Sequence, residues 1–366
     1  MSASAVGMPK AIYGNFDTRE NICDLVGKTD PEAAFYKSIE EQAGSVACLM
    51  DKVELTKIGE GLYELASQIT LANRFIYHKE HPGFFDPNGR FRQELIPGRG
   101  SGLLVGPNWF LTAAHCVCVE ESDILDVEQI KKWRIVFDFH INSDSTCKTE
   151  FSEVYKIKNV RCWHFSRGDK FADWALLELN RTVIGRKPFT IEKDPSQVKI
   201  GKELYMLGHP SGLPLKATLS GIIMTNETSK DMFSSKLCAF GGNSGSVLLD
   251  RVTQKVIGIL VTGQTDYEYD AAAGYWITHV VTQDEINLLG HEGCQKISTI
   301  AELIKAIVDD ESTERINKHW EYAKKIKLTS AQYYGVVDGF VVASVGIARK
   351  SRDCSRDNSP STCSTQ

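Results

Sequence analysis

Residues 102–116 read Gly-Leu-Leu-Val-Gly-Pro-Asn-Trp-Phe-Leu-Thr-Ala-Ala-His-Cys. Two apolar runs of strand length, Gly102 to Val105 and Trp109 to Thr112, are parted by the turn signal Gly106-Pro107-Asn108. From Ser45 to about Leu289 the same unit recurs. Arg134 to Phe139, Trp174 to Leu179, Glu203 to Leu207, Ser246 to Leu249 and Val256 to Val261 are short apolar runs between Gly, Pro, Asn and Asp clusters. Many short strands with few helical periods between them predict an all-β barrel or sandwich rather than a parallel α/β sheet.

The flanks differ in character. Residues 1–45 combine turn signals with a helical pattern over Glu32 to Glu41, and read as an N-terminal strap or pro-like segment. The Pro-, Gly- and Arg-rich stretch from His81 to Gly100 reads as a surface loop. After Gly293 the period changes: Ile300, Leu303, Ile304 and Ile307 share one helical face, predicting a helical extension over 294–349 that packs on the sheets. Residues 350–366, KSRDCSRDNSPSTCSTQ, are polar and Ser-rich, as expected of a disordered tail.

Composition narrows the function. A net charge of −5 without a long basic run argues against a nucleic-acid partner. No stretch is long and apolar enough for a membrane span. The start, MSASAVGMPK, lacks the apolar core of a secretory signal, so the expected location is cytoplasmic, with secretion as the alternative. The ten cysteines are scattered, and most read as reduced thiols. Cys116 and Cys118 form only a C-x-C, so neither a metal site nor a cofactor is expected.

Three motifs carry chemistry. Phe240-Gly241-Gly242-Asn243-Ser244-Gly245-Ser246 precedes an apolar strand. Such a glycine turn can aim backbone N–H groups at a developing oxyanion, here those of Gly242 and Ser244, beside a Ser244 nucleophile. His115 ends an apolar strand through two small alanines, the place for a base. Asp173 opens the apolar run 171–179, FADWALLEL, where a carboxylate of low exposure needs a partner such as a histidine; Asp169 is the fallback.

LTAAHC, ADWALLEL and GGNSGS, in the order His, Asp, Ser, resemble the trypsin-like serine peptidases. The resemblance implies two antiparallel six-stranded barrels, at about 46–180 and 190–290 within a domain spanning 46–293. It also implies a triad of His115, Asp173 and Ser244. Ala11 to Arg19, and Gly208-His209-Pro210-Ser211-Gly212, are similar to the mature start and to a loop of the bacterial glutamyl-endopeptidase-like branch. That start implies a cut after Lys10.

The departures matter too. Trypsins bond the cysteine after the catalytic histidine to one whose place is held here by Gly100, and their activating Asp before the nucleophile is Asn243. The acid that binds Arg or Lys is replaced by Cys238; the Thr and His that hold Glu are replaced by Ala239 and Leu260. The resemblance therefore implies an uncharged pocket walled by Cys238, Ala239, Leu260 and Val261. By the same resemblance, Gly263 matches the residue whose backbone pairs with an extended substrate strand.

The expected function is a serine endopeptidase acting on protein or peptide substrates, gated by a regulatory protein partner, by processing or by a misformed oxyanion hole. The alternative is a catalytically silent barrel pair serving as a protein-binding module.

Overall fold

The computed structural model describes residues 12–13, 17–28, 32–119, 122–167, 171–227, 230–289, 291–309, 332–333, 335–337 and 340–342. The expected cut after Lys10, the fallback Asp169, the chain directly beyond Asp309 and the 350–366 tail lie outside the described residues.

Six strands build the first barrel: β1 Val46–Asp51, β2 Gly98–Gly106, β3 Trp109–Thr112, β4 Trp133–Phe137, β5 Val154–Ser166 and β6 Ala172–Leu179. They run β6-β3-β2-β1-β4-β5, and β5 closes back on β6. The second barrel uses β7 Glu203–Gly208, β8 Lys216–Asn226, β9 Met232–Leu237, β10 Val247–Asp250, β11 Val256–Thr262 and β12 Glu292–Lys296. Their order is β7-β10-β11-β12-β9-β8, with β8 closing on β7. Every pairing among these strands is antiparallel, so the all-β expectation of two six-stranded barrels is met.

The unbroken apolar runs reflect strands covered on both faces, because successive side chains point to opposite sides. On β6, Ala175, Leu177 and Leu179 fill the first barrel, whereas Ala172, Trp174 and Leu176 face a core lying between the barrels. Leu248 likewise enters the second barrel while Val247 and Leu249 join the shared core. Two helices feed that shared core. α1, Ala33–Ala43, contributes Ile39; α2, Ala301–Val308, contributes Leu303, Ile304 and Ile307, with Ile300 just ahead of it.

Several boundaries differ from the expectation. β12 straddles residue 293, so the second barrel continues to Lys296. Between Gly263 and Glu292 lie a hairpin, Tyr267–Asp270 with Tyr275–Thr278, and a short helix, Gln283–Leu289, none of which the sequence singled out. The stretch from His81 to Gly100 is not all surface: Phe85 and Ile96 are buried, and β2 begins at Gly98. Within the expected helical extension, Gln332–Tyr333 adds to β5, and Gly335–Val337 pairs with Phe340–Val342; the valines there favour extended backbone.

Two short strands of the N-terminal segment pair with later parts of the chain. Ile12–Tyr13 pairs in parallel with Val280–Val281, and Arg19–Asn21 lies antiparallel on β8. Arg19 is buried, clasps Asp17 at 2.8 and 2.7 Å, and lies 3.7 Å over the Phe240 ring. Nearby, the buried Lys216 ammonium meets Glu94 at 2.5 Å and donates to Asn21. Glu94→Ala strands that charge and is expected to cost about 3–5 kcal/mol. A melting curve checks it; an unchanged Tm would contradict it.

Candidate active site

The catalytic candidates come from a turn, the start of a strand and a loop. β3 ends at Thr112, buried Ala113 and Ala114 follow, and a single 3-10 turn, Ala114–Cys116, presents His115. Small side chains let that turn lie close to the nucleophile loop, and the Trp133 indole N–H pins it through the Cys116 carbonyl at 2.8 Å. Asp173 is the second residue of β6 and is buried. Ser244 lies in the loop joining β9 to β10.

The three side chains form one line. His115 Nδ1 is 2.6 Å from Asp173 Oδ2, and Nε2 is 2.7 Å from Ser244 Oγ. A carboxylate can only accept, so Nδ1 carries the proton and Nε2 is left to accept from the serine hydroxyl. Asp173 also accepts the His115 backbone N–H at 3.0 Å. Burial disfavours an imidazolium here, but the Asp173 carboxylate and the adjoining Cys116 outweigh it. The pKa of His115 is held above its ordinary 6.5.

The loop around Ser244 needs its glycines. Gly242 has φ 92°, and a Cβ there would stand 2.6 Å from the His209 carbonyl. Gly245 has φ 84°, and a Cβ there would run into the Ser101 carbonyl. The Asn243 side-chain oxygen is taken up by the turn itself, accepting from Ser246 Oγ at 3.0 Å. Among the described residues the Gly242 N–H has no backbone acceptor. Gly100, at the place of the missing cysteine, would put a Cβ 3.3 Å from Cys116 Sγ, and every cysteine among the described residues is a free thiol.

Ser101, on β2, escaped the sequence reading. Its N–H donates to the Ser244 carbonyl at 2.8 Å and its hydroxyl to the Gly242 carbonyl at 2.7 Å. The hydroxyl also accepts the His209 N–H at 2.9 Å. Gln295, on β12, accepts the Asp173 backbone N–H at 3.0 Å and so ties the acid's strand to the second barrel. No local motif marks either residue, because their partners are distant in sequence.

The residues of the expected wall, Cys238, Ala239, Leu260 and Val261, fall in three neighbouring clusters. Neighbours on a strand face opposite ways, so Leu260 joins Ala239 inside the second barrel while Val261 enters the core between barrels. Cys238 packs with Ile12, Phe240, Tyr267 and Trp276. Gly263, directly after β11, is half-buried.

Two acids that the sequence reading missed adjoin these residues. Asp266 accepts the Gly241 N–H at 3.1 and 2.9 Å, and buried Glu292 accepts the Gln264 N–H at 3.2 Å. A cleft of about 250 Å³ opens beside Thr262 and is lined by Phe171, Met232, Phe233 and Gly293, with Lys230 and Glu227 also contributing.

No group of three or more His, Cys, Asp or Glu among the described residues gathers as a metal-ligand set. No helix among them is long and apolar enough to cross a membrane.

Residues 100–259 match the family model of the trypsin-like peptidase domain. No curated protein matches the chain. Solved structures similar to it include an inactive-form serine-to-alanine mutant of Rv3671c from M. tuberculosis. That structure is 13% identical, with a TM-score of 0.37, covering 78% of this chain and 98% of that one. The VesB protease of Vibrio cholerae is 11% identical, with a TM-score of 0.41, covering 73% of this chain and 64% of that one.

Proposed function

We propose, on the premise of a trypsin-like peptidase domain over residues 100–259, that the chain is a serine endopeptidase working through His115, Asp173 and Ser244. The observation that carries this is the unbroken line from Asp173 Oδ2 through the imidazole to Ser244 Oγ, at 2.6 and 2.7 Å.

Ser244 Oγ attacks the substrate carbonyl carbon as its proton passes to His115 Nε2. The carbonyl electron pair moves onto oxygen, which the N–H groups of Gly242 and Ser244 receive. Collapse expels the amine, to which His115 returns the proton, leaving an acyl group on Ser244. Water activated by the same imidazole then releases the acid and restores the hydroxyl. Asp173 keeps Nδ1 protonated throughout and offsets the charge of the transient imidazolium. The substrate lies extended along the backbone of Gly263, and its side chains on that flank reach the cleft beside Thr262 and Phe171.

Intact-mass analysis after treatment with a fluorophosphonate tests the reading. One adduct is expected on the wild type and none on Ser244→Ala. A folded wild type that takes up no adduct would sink the proposal.

A further inference from the structure

Ser211 has no part in the proton relay, yet its backbone is held in an uncommon state. It is buried, with φ 56° and ψ 12°, in the turn that follows β7, the left-handed region that non-glycine residues seldom enter. Its N–H donates to the Gly241 carbonyl at 2.5 Å. A trans peptide places its C=O and N–H on opposite sides. With the Gly241 carbonyl turned to Ser211, the same peptide presents the Gly242 N–H on the far side. Were that peptide to flip, the donor needed by an oxyanion would be exchanged for an acceptor.

Three contacts hold this arrangement. The Ser211 hydroxyl shares a hydrogen bond with the Tyr267 hydroxyl at 2.5 Å. The Ser211 carbonyl accepts from Arg74 Nη1 at 3.2 Å. The other side of Gly241 is fixed by its N–H on the Asp266 carboxylate. Arg74 belongs to the long connection between β1 and β2, and Asp266 and Tyr267 to the insertion after β11; all lie outside the matched residues 100–259. These two segments form one packed unit. The Phe75 ring stacks on Trp276 at 4.5 Å and meets Tyr267 edge-on at 5.2 Å.

We propose that Arg74 and Tyr267 are positioning residues that keep Ser211 left-handed and thereby aim the Gly242 N–H at the oxyanion. The aromatic unit to which they belong then sets the turnover of Ser244. The inference rests on the acyl-transfer reading above.

The test uses the full chain carrying Tyr267→Phe, which loses one hydroxyl, and the double variant Arg74→Ala with Tyr267→Phe. Two readouts are needed: kcat and KM on a peptide ester, and the Gly242 amide resonance of the resting protein labelled with 15N-glycine. Expected for the double variant is a kcat lowered about 10²-fold, KM held within about twofold, and a shifted Gly242 resonance. Should it not fold, Tyr267→Phe is judged alone, with about a 10-fold loss of kcat expected.

An unmoved Gly242 resonance overturns the proposal, as does a kcat at the wild-type value. An inactive wild type would count against the peptidase reading, and the resonance would then decide the positioning claim: moved supports it, unmoved overturns it.

Discussion

Replacing Ser244 with alanine is expected to lower kcat by about 10⁶, the scale on which loss of the nucleophile abolishes a covalent route. The loss falls on kcat because the methyl side chain leaves the backbone N–H groups of Gly242 and Ser244, and the binding surface along Gly263, in place. Binding of an uncleaved peptide should stay within about twofold of the wild type, since ground-state contacts do not involve the hydroxyl. The fold should survive as well, because the loop is held by Ser101, which bonds the carbonyls of Ser244 and Gly242 rather than the nucleophile's side chain. Rates on a peptide ester, paired with a melting curve, check this. Retention of even a hundredth of the wild-type kcat in a folded variant would place the chemistry elsewhere.

Asp173→Asn is expected to cost about 10⁴ in kcat, with a second, independent signature in pH. An asparagine can turn an N–H toward His115 Nδ1, which leaves the imidazole proton on Nε2, where it blocks acceptance from Ser244. In the wild type the carboxylate raises the pKa of His115 above 6.5 against the opposing effect of burial. The imidazole accepts a proton only when neutral, so wild-type kcat/KM should fall as pH drops through a value above 6.5. Without the carboxylate, burial acts with one fewer opponent, and the acid limb moves to lower pH. Profiles over about pH 5 to 10 on both proteins read the shift directly. A limb that stays put would mean that Asp173 does not face the working imidazole.

The parts legible in the sequence were those with a local cause. β6 showed itself because a strand buried on both faces needs an unbroken run, from Ala172 to Leu179. α2 showed itself through the spacing of Ile300, Leu303, Ile304 and Ile307, all buried in the core between barrels. His115, Asp173 and Ser244 each had a distinctive setting, and the structure brings their side chains within hydrogen-bonding reach.

What stayed hidden depends on pairings across the chain. Ser101 reaches Gly242 and Gln295 reaches Asp173 over separations of 141 and 122 residues, which no window of local sequence can reveal. The hairpin after Gly263 was not singled out in the sequence, its two strands being only four residues each. The four expected pocket residues divide for a geometric reason: Leu260 and Val261 are consecutive on β11, and the pleat sends them to different cores.

The bond from the Asp173 N–H to Gln295 sets an order on the life of the molecule. A ribosome delivers His115, Asp173 and Ser244 well before it delivers β12. Until that last strand enters, the second barrel has an open seam and the acid's strand lacks its tie across the barrels. The growing polypeptide therefore carries His115, Asp173 and Ser244 while the frame that aligns them is still incomplete, and the proposed hydrolysis is expected only once the seam is shut.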